Sequence, residues 1–325
     1  MKKLLSYKFT PFLFTLFIIG IFYLLGSLPG KENTQEAAFT QSTVSVTPSP
    51  APDRAAETSD LTLSVRNTSI TIGEDKQAVI DKFGLPGRID KTEYGFDYYI
   101  YNNDYSHMAF IAVQDNKVVG YYTDSADFNY QGVHRGNTVS QLNKALKQQF
   151  ELSEAITYSN STSTIKILMD TLESKTVTGI YILPKDASPK DYSKETVRGI
   201  EALLYDLTNS ARAHNKLSPL SWSSSASLAA RKHSNSMSVN NFIAHTDPER
   251  RSPGERLAAE GIAYVKCGEN IIAGYDDAIL SVHHLYNSKS QRGNLLSKTY
   301  RYTGDGFSYT KDSEHKTYLT QDFYR

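Results

Sequence analysis

Few side chains in this sequence are grouped as a nucleophile, a metal centre or a phosphate cradle would require. The single cysteine, Cys267, excludes an internal disulfide framework and every multi-cysteine zinc or iron–sulfur site. Standing just before Gly268, its thiol is either a nucleophile or a small core residue ahead of a buried strand. His107 and His134 are isolated and read as surface residues. His283 and His284 are adjacent and read as a pair on one helix face, one ring buried and one exposed. Tyr98, Tyr99, Tyr101 and Tyr105 offer aromatic rings to a sugar or polyphenol, or else pack one sheet face and wet their hydroxyls. No Gly-X-Ser-X-Gly elbow and no phosphate loop is present. The 35 basic residues cancel the 35 acidic ones, so the basic excess of a nucleic-acid binder is missing and no such partner is expected.

The elements that must position these groups begin after a leader. Lys2, Lys3 and Lys8 flank an uncharged, mostly apolar run from Phe9 to Leu28. At 1.5 Å per residue such a run spans about 30 Å, the thickness of a bilayer core. Residues 1–30 are therefore expected to form a single membrane helix, with the charge flank inside and everything after it outside the cell. A cleaved signal peptide, giving a secreted protein, is the alternative, but Gly26-Ser27-Leu28-Pro29 is a poor cleavage site. Residues 31–60, rich in Ala, Ser, Thr and Pro, read as a disordered tether.

Residues 61–190 read as a smaller α+β domain with a twofold internal repeat. Ile70 and Ile72 lead into a helical stretch carrying Val79, Ile80 and Phe83; Val133 leads in the same way into Val139, Leu142, Leu146 and Phe150. Strand-like runs follow each helix, at 96–101, 108–113 and 118–123, then at 164–169 and 176–183, with Gly120 and Gly179 in matching places. The polar, proline-marked stretch 184–194 reads as a junction between independently folding pieces.

Residues 191–325 read as a second α+β domain, an α-β-α sandwich with a mainly antiparallel sheet. Val197, Ile200, Leu203, Leu204, Leu207 and Ala211 form one apolar helical stripe, and Ala226 to Met237 a second helix capped by Ser223 to Ser225. A strand is expected from Cys267, a helix from Asp276 to Ser288, and two strands near 300–307 and 317–324.

The order of motifs in this half resembles the CAP superfamily of cysteine-rich secretory, antigen-5 and pathogenesis-related class 1 proteins. The resemblance rests on Leu207, Asn209 and Arg212; Leu217, Leu220 and Trp222; Ala230, His233 and Met237; Phe242 and His245; Arg256-Leu257 with Gly261; Gly268-Glu269-Asn270-Ile271; Asn287-Ser288 with Arg292, Asn294, Leu295 and Leu296; and Tyr318, Gln321, Asp322 and Phe323. Residues 61–190 are similar, more loosely, to the domain found beside CAP domains in spore-forming Gram-positive bacteria, and the whole chain looks like a Bacillus-type exported protein.

The resemblance implies a central cleft lined by histidine and glutamate, which in some members binds a divalent cation. His245 matches the first cleft histidine and Glu269 the cleft glutamate, while Gln291 stands where the bacterial pattern has its second histidine. An amide oxygen suits calcium better than zinc, and a catalytic zinc needs three ligands, so at most weak divalent-cation binding is expected. His283 or His284 is the remaining candidate for a third ligand. The expected function is a membrane-tethered binding module for a cell-envelope ligand or another exported protein, with His245, Glu269 and Gln291 lining the cleft. The alternative is an extracellular hydrolase or peptidase using His245 and Glu269 with Ser288, Ser290 or Cys267 as nucleophile.

Overall fold

The computed structural model describes residues 61–325, and the expected membrane helix and tether lie outside the described residues. Among the described residues no helix is long and apolar enough to cross a membrane.

The first domain is mixed α and β. Its strands are β1 (Thr62–Val65), β2 (Thr68–Thr71), β3 (Arg88–Lys91), β4 (Asp97–Tyr101), β5 (Ala109–Gln114), β6 (Lys117–Thr123), β7 (Asn129–Tyr130), β8 (Ala155–Ser159), β9 (Ser163–Met169) and β10 (Val177–Pro184). Two short helices accompany them, α1 (Lys76–Phe83) and α2 (Val139–Leu146). A small sheet runs β2-β1-β7 and a seven-stranded sheet β3-β4-β5-β6-β10-β9-β8, every pairing antiparallel. Strands β3 and β8 carry too few apolar residues in alternation to stand out in the sequence.

The tyrosine cluster does not share one face, because successive side chains on a strand point to opposite sides. Tyr98 and Ile100 face one core, and Tyr99 and Tyr101 face the other. Three of the four hydroxyls are bonded within the protein: Tyr98 to Tyr181 at 3.2 Å, Tyr101 to the Gly84 carbonyl at 3.1 Å, and Tyr105 to Asp206 at 3.3 Å.

The second domain follows the element order expected of it. It comprises α3 (Lys194–His214), β11 (Ser221–Trp222), α4 (Ser224–Asn240), α5 (Pro253–Ala259), β12 (Cys267–Ala273), α6 (Ala278–Asn287), α7 (Lys289–Leu295), β13 (Tyr302–Tyr309) and β14 (Thr317–Tyr324). Helix starts are fixed by side-chain caps: Ser193, Ser223 and Asp277 accept from the backbone N–H groups of Thr196, Ala226 and Leu280. Ser252 and Glu255 form a capping box with Pro253 at the first turn of α5. The sheet runs β11-β13-β14-β12, parallel only between β11 and β13. Helix α4 lies directly on it: a Cβ at Gly304 or Gly306 would come within 2.1 Å of the helix backbone, so only glycine permits this approach.

One core spans the 184–194 junction. Tyr98, Phe110, Tyr122, Leu168 and Tyr181 of the seven-stranded sheet pack with Ile200, Leu203, Leu204 and Leu207 of α3 and with Ile279 and Val282 of α6. The layer of α3 and α6 is thus buried between two sheets. The junction itself is docked, with Lys190 N and Asp191 N donating to the Glu93 carbonyl and Tyr192 stacked on Tyr309. Across this junction each half completes the other's apolar face.

Candidate functional site

The antiparallel register of β12 and β14 sets Glu269 opposite Asp322, and Asp322 lies opposite Gly304 of β13. All three are on the α4 side of the sheet, where the absent side chain at Gly304 leaves room for the helix. The loop between α4 and α5 carries His245 across Glu269, with His245 Nδ1 2.7 Å from Glu269 Oε1. Arg256, on α5, donates to Glu269 Oε2. Its other terminal nitrogen donates to the His245 and Arg251 carbonyls, each at 2.8 Å, so one arginine fixes both the loop and the carboxylate. Asp247 adds a second clamp on the loop, accepting from Arg251 N at 2.7 Å and Arg251 Nε at 2.8 Å.

Burial grades sharply across this group. The side chains of Glu269 and Arg256 are 1% and 5% exposed, whereas His245 is 54% exposed. Behind them His233 donates from Nε2 to the Ala244 carbonyl at 2.9 Å, and burial holds its ring below the usual histidine range, hence neutral. Asp322 is fully buried, and neither of its oxygens has a hydrogen-bond partner. Burial, reinforced by the facing Glu269 carboxylate, raises it well above the ordinary carboxylate range.

The chemistry available is that of a histidine oriented by a buried carboxylate. Glu269 occupies Nδ1, which leaves Nε2 of a half-exposed ring to accept from, donate to or pack on a ligand. The donor set does not suit a zinc ion. Both Glu269 oxygens are engaged, one by a guanidinium, and His245 Nδ1 faces the carboxylate. Among the described residues no three His, Cys, Asp or Glu side chains converge as ligands.

Of the three cleft residues read from the sequence, His245 and Glu269 are in direct contact. Gln291 is tied in through its backbone, its carbonyl accepting from Asn270 Nδ2 at 3.1 Å, and its Oε1 is buried without a hydrogen-bond partner. No hydrogen bond joins its side chain to His245 or Glu269. His283 and His284 lie elsewhere: they face the first domain, bonded to the carbonyl and carboxylate of Glu154 at 2.7 and 3.0 Å. The helix-face reading holds for them, but both are partly buried rather than one buried and one exposed. Cys267 packs on Ala226, Ala229, Leu257 and Ile262, and burial pushes its thiol up, opposite to a nucleophile's need. Neither Ser288 nor Ser290 bonds to His245. His107 pairs with Asp104 at 2.8 Å and His134 with the Phe128 carbonyl at 3.1 Å.

Arg256, His233 and Asp322 were visible in the sequence only as pattern matches, without roles. Arg256 carried a usable signal, since a Ser252-Pro253-Gly254-Glu255 cap fixes the direction of the helix that bears it. Nothing local marked Asp322, whose partner is 53 positions away and is set by strand register alone.

A three-layer domain with this histidine–glutamate pair, docked on an antiparallel α+β domain, defines the class. Residues 205–323 match the cysteine-rich secretory protein family, CAP, and residues 72–178 match the CAP-associated N-terminal domain. The chain is a CAP-domain protein with the bacterial associated N-terminal domain. It is 26% identical to the uncharacterized membrane protein YlbC of Bacillus subtilis (strain 168), over 78% of this chain and 82% of that protein. It is 31% identical to the uncharacterized protein YkwD of the same organism, over 34% of this chain and 44% of that one. Its fold is similar to that of an extracellular protein containing an SCP domain from Bacillus anthracis, with a TM-score of 0.67 and 21% identity, covering 86% of this chain and 98% of the other. A cysteine-rich secretory protein from Staphylococcus aureus superposes with a TM-score of 0.61 and 16% identity, covering 78% and 93%.

Proposed function

We propose that this is an extracytoplasmic, membrane-tethered CAP protein that binds a cell-envelope ligand in the His245–Glu269 cleft and does not depend on a metal. The observation that carries the binding reading is the exposed His245 ring locked by a carboxylate whose other oxygen is held by Arg256. Such a group is pre-oriented, so little ordering is needed when a ligand engages Nε2. The lysine-flanked apolar run before residue 30 supports the tether, as does the similarity to YlbC, an uncharacterized membrane protein. The similarity to an extracellular protein and to a secretory protein supports an outward-facing location. Gln291 in place of a histidine, and Arg256 on the carboxylate, support the absence of metal chemistry. Among the described residues no hydroxyl or thiol hydrogen-bonds to the His245 ring, whose partner is the Glu269 carboxylate, which supports binding over hydrolysis.

We also read the first domain as two related α+β units. Helix α1 precedes β3 to β6 and α2 precedes β8 to β10; β6 and β10 pair at the sheet centre, with Tyr122 opposite Tyr181.

The test is retention of envelope extract components by the immobilised full chain in detergent, beside His245→Ala and Glu269→Gln variants. Retention of a defined component by the wild type, lost in both variants, is the expected result. Equal retention by all three would remove the cleft from the account, and released fragments in the wild type alone would replace binding with hydrolysis.

A further inference from the structure

Three CAP-domain histidines outside the cleft, His214, His283 and His284, lie where the two domains meet, and each faces a group of the first domain. At the end of α3, His214 is 8% exposed, with Nε2 3.7 Å from Asp124 Oδ2. That nitrogen has no hydrogen-bond partner, and neither does Asp124 Oδ1. Asp124 Oδ2 instead accepts from Ser210 of the same helix at 2.6 Å. On α6, His283 donates from Nε2 to the Glu154 carbonyl, the same carbonyl that accepts from Met169 N at 2.8 Å. A small cavity of about 40 Å³ runs between these two places, lined by Asp124, Arg135, His283 and Tyr286.

We propose that this interface is an acid-sensitive clasp: protonation of His283 and His214 weakens the docking of the first domain on the CAP domain.

The geometry gives the reason. A second proton makes His283 a cation whose contact across the interface is a carbonyl already shared with a strand bond, not a carboxylate free to neutralise it. Its charged neighbours are the Glu154 carboxylate, which is bonded to His284, His284 on its own helix, and Asp170, which is committed to Arg292. His214 has one acid, Asp124, and it is offset by Arg135 and by His107 from the neighbouring turn. Burial holds both rings below the usual histidine range, despite the raising effects of Asp124 and Glu154.

The sign follows. Each ring takes up a proton more readily when the domains separate, so docking is fully stabilised above the ordinary histidine range and weakens as pH falls below about 6.5. Two groups work against this. The His284–Glu154 pair at 3.0 Å strengthens when His284 is charged. The buried Glu93, raised well above the carboxylate range by burial and by Asp277, weakens docking as pH rises instead. The clasp therefore has a stable window near neutrality with histidine at its acid edge.

Hydrogen–deuterium exchange of the full chain in detergent, corrected for the intrinsic pH dependence of amide exchange, tests this. Between about pH 7.5 and about pH 5.5, exchange of 155–159 and 278–287 should rise by up to about tenfold per pH unit for each proton taken up, while α4, β13 and β14 stay protected. His283→Asn and His214→Asn should each flatten the rise, and the double variant should abolish it. Because either variant could be impaired at neutral pH, Glu154→Gln provides an independent arm: it removes the opposing ion pair and should steepen the rise. An unchanged interface in the wild type, or the same rise in the double variant, would overturn the proposal. These outcomes leave the cleft reading untouched, since neither His245 nor Glu269 is involved.

Discussion

Two buried arginine–carboxylate pairs in this molecule have opposite fates. Asp170 receives Arg292 in a bidentate pair at 3.0 and 3.1 Å across the domain interface. Its oxygens also accept from the backbone N–H groups of Leu172, Glu173 and Ser174, which leaves nothing to present to solvent. Glu269 receives Arg256 on one oxygen and gives the other to a histidine that is half in water. Chemical availability thus depends on what the last lone pair touches and not on how deeply the acid is buried. The first arrangement closes an interface; the second exposes an oriented ring.

The largest expected effect is on the closed pair. Arg292→Met strands a buried carboxylate and should cost about 3–5 kcal/mol in denaturant unfolding, with the loss extending to both domains because their core is shared. A loss confined to one domain would show that the shared core does not couple them. Arg256→Met takes the guanidinium from Glu269, which is 1% exposed but keeps its bond to the half-exposed His245, and should cost less, about 1–3 kcal/mol. An equal cost for the two substitutions would erase the distinction between them.

A third contrast uses pH. Asp305, on the α3 side of the sheet, is pushed up to about 8 by burial, with only Gln321 donating to it at 2.8 Å. Its folded-state value is raised, so the folded chain holds a proton that the unfolded chain releases above about pH 4. Stability should fall by about 1.4 kcal/mol per pH unit from this group as pH rises toward 8, and Asp305→Asn should remove that slope. An unchanged slope in the variant would assign the pH dependence to other buried acids. The smallest effect belongs to His245→Ala, which should shift stability by no more than about 0.5 kcal/mol because the ring is half exposed, while abolishing ligand retention in the cleft.

Most elements of the CAP half were legible because α3, α4, β13 and β14 each announce themselves by period, cap or apolar run. His245 and Glu269 were legible as members of an ordered set of motifs. What the sequence hid was everything that depends on register or docking. Asp322 meets Glu269 only through strand pairing, and Tyr98 and Tyr99 part company because a strand alternates. His283 and His284 resembled spare ligands because their true partner, Glu154, is more than a hundred residues away. The 184–194 stretch resembled a linker because turn chemistry is local, whereas the apolar surfaces that meet across it are not.

Titration of the purified full chain with zinc at neutral pH, beside His245→Ala and Gln291→His, tests the metal-free cleft most directly. The account predicts no tight binding in the unaltered protein, since Arg256 holds one Glu269 oxygen and Gln291 supplies only an amide; any gain should be confined to Gln291→His. Tight, stoichiometric zinc in the unaltered chain, abolished by His245→Ala, would contradict it.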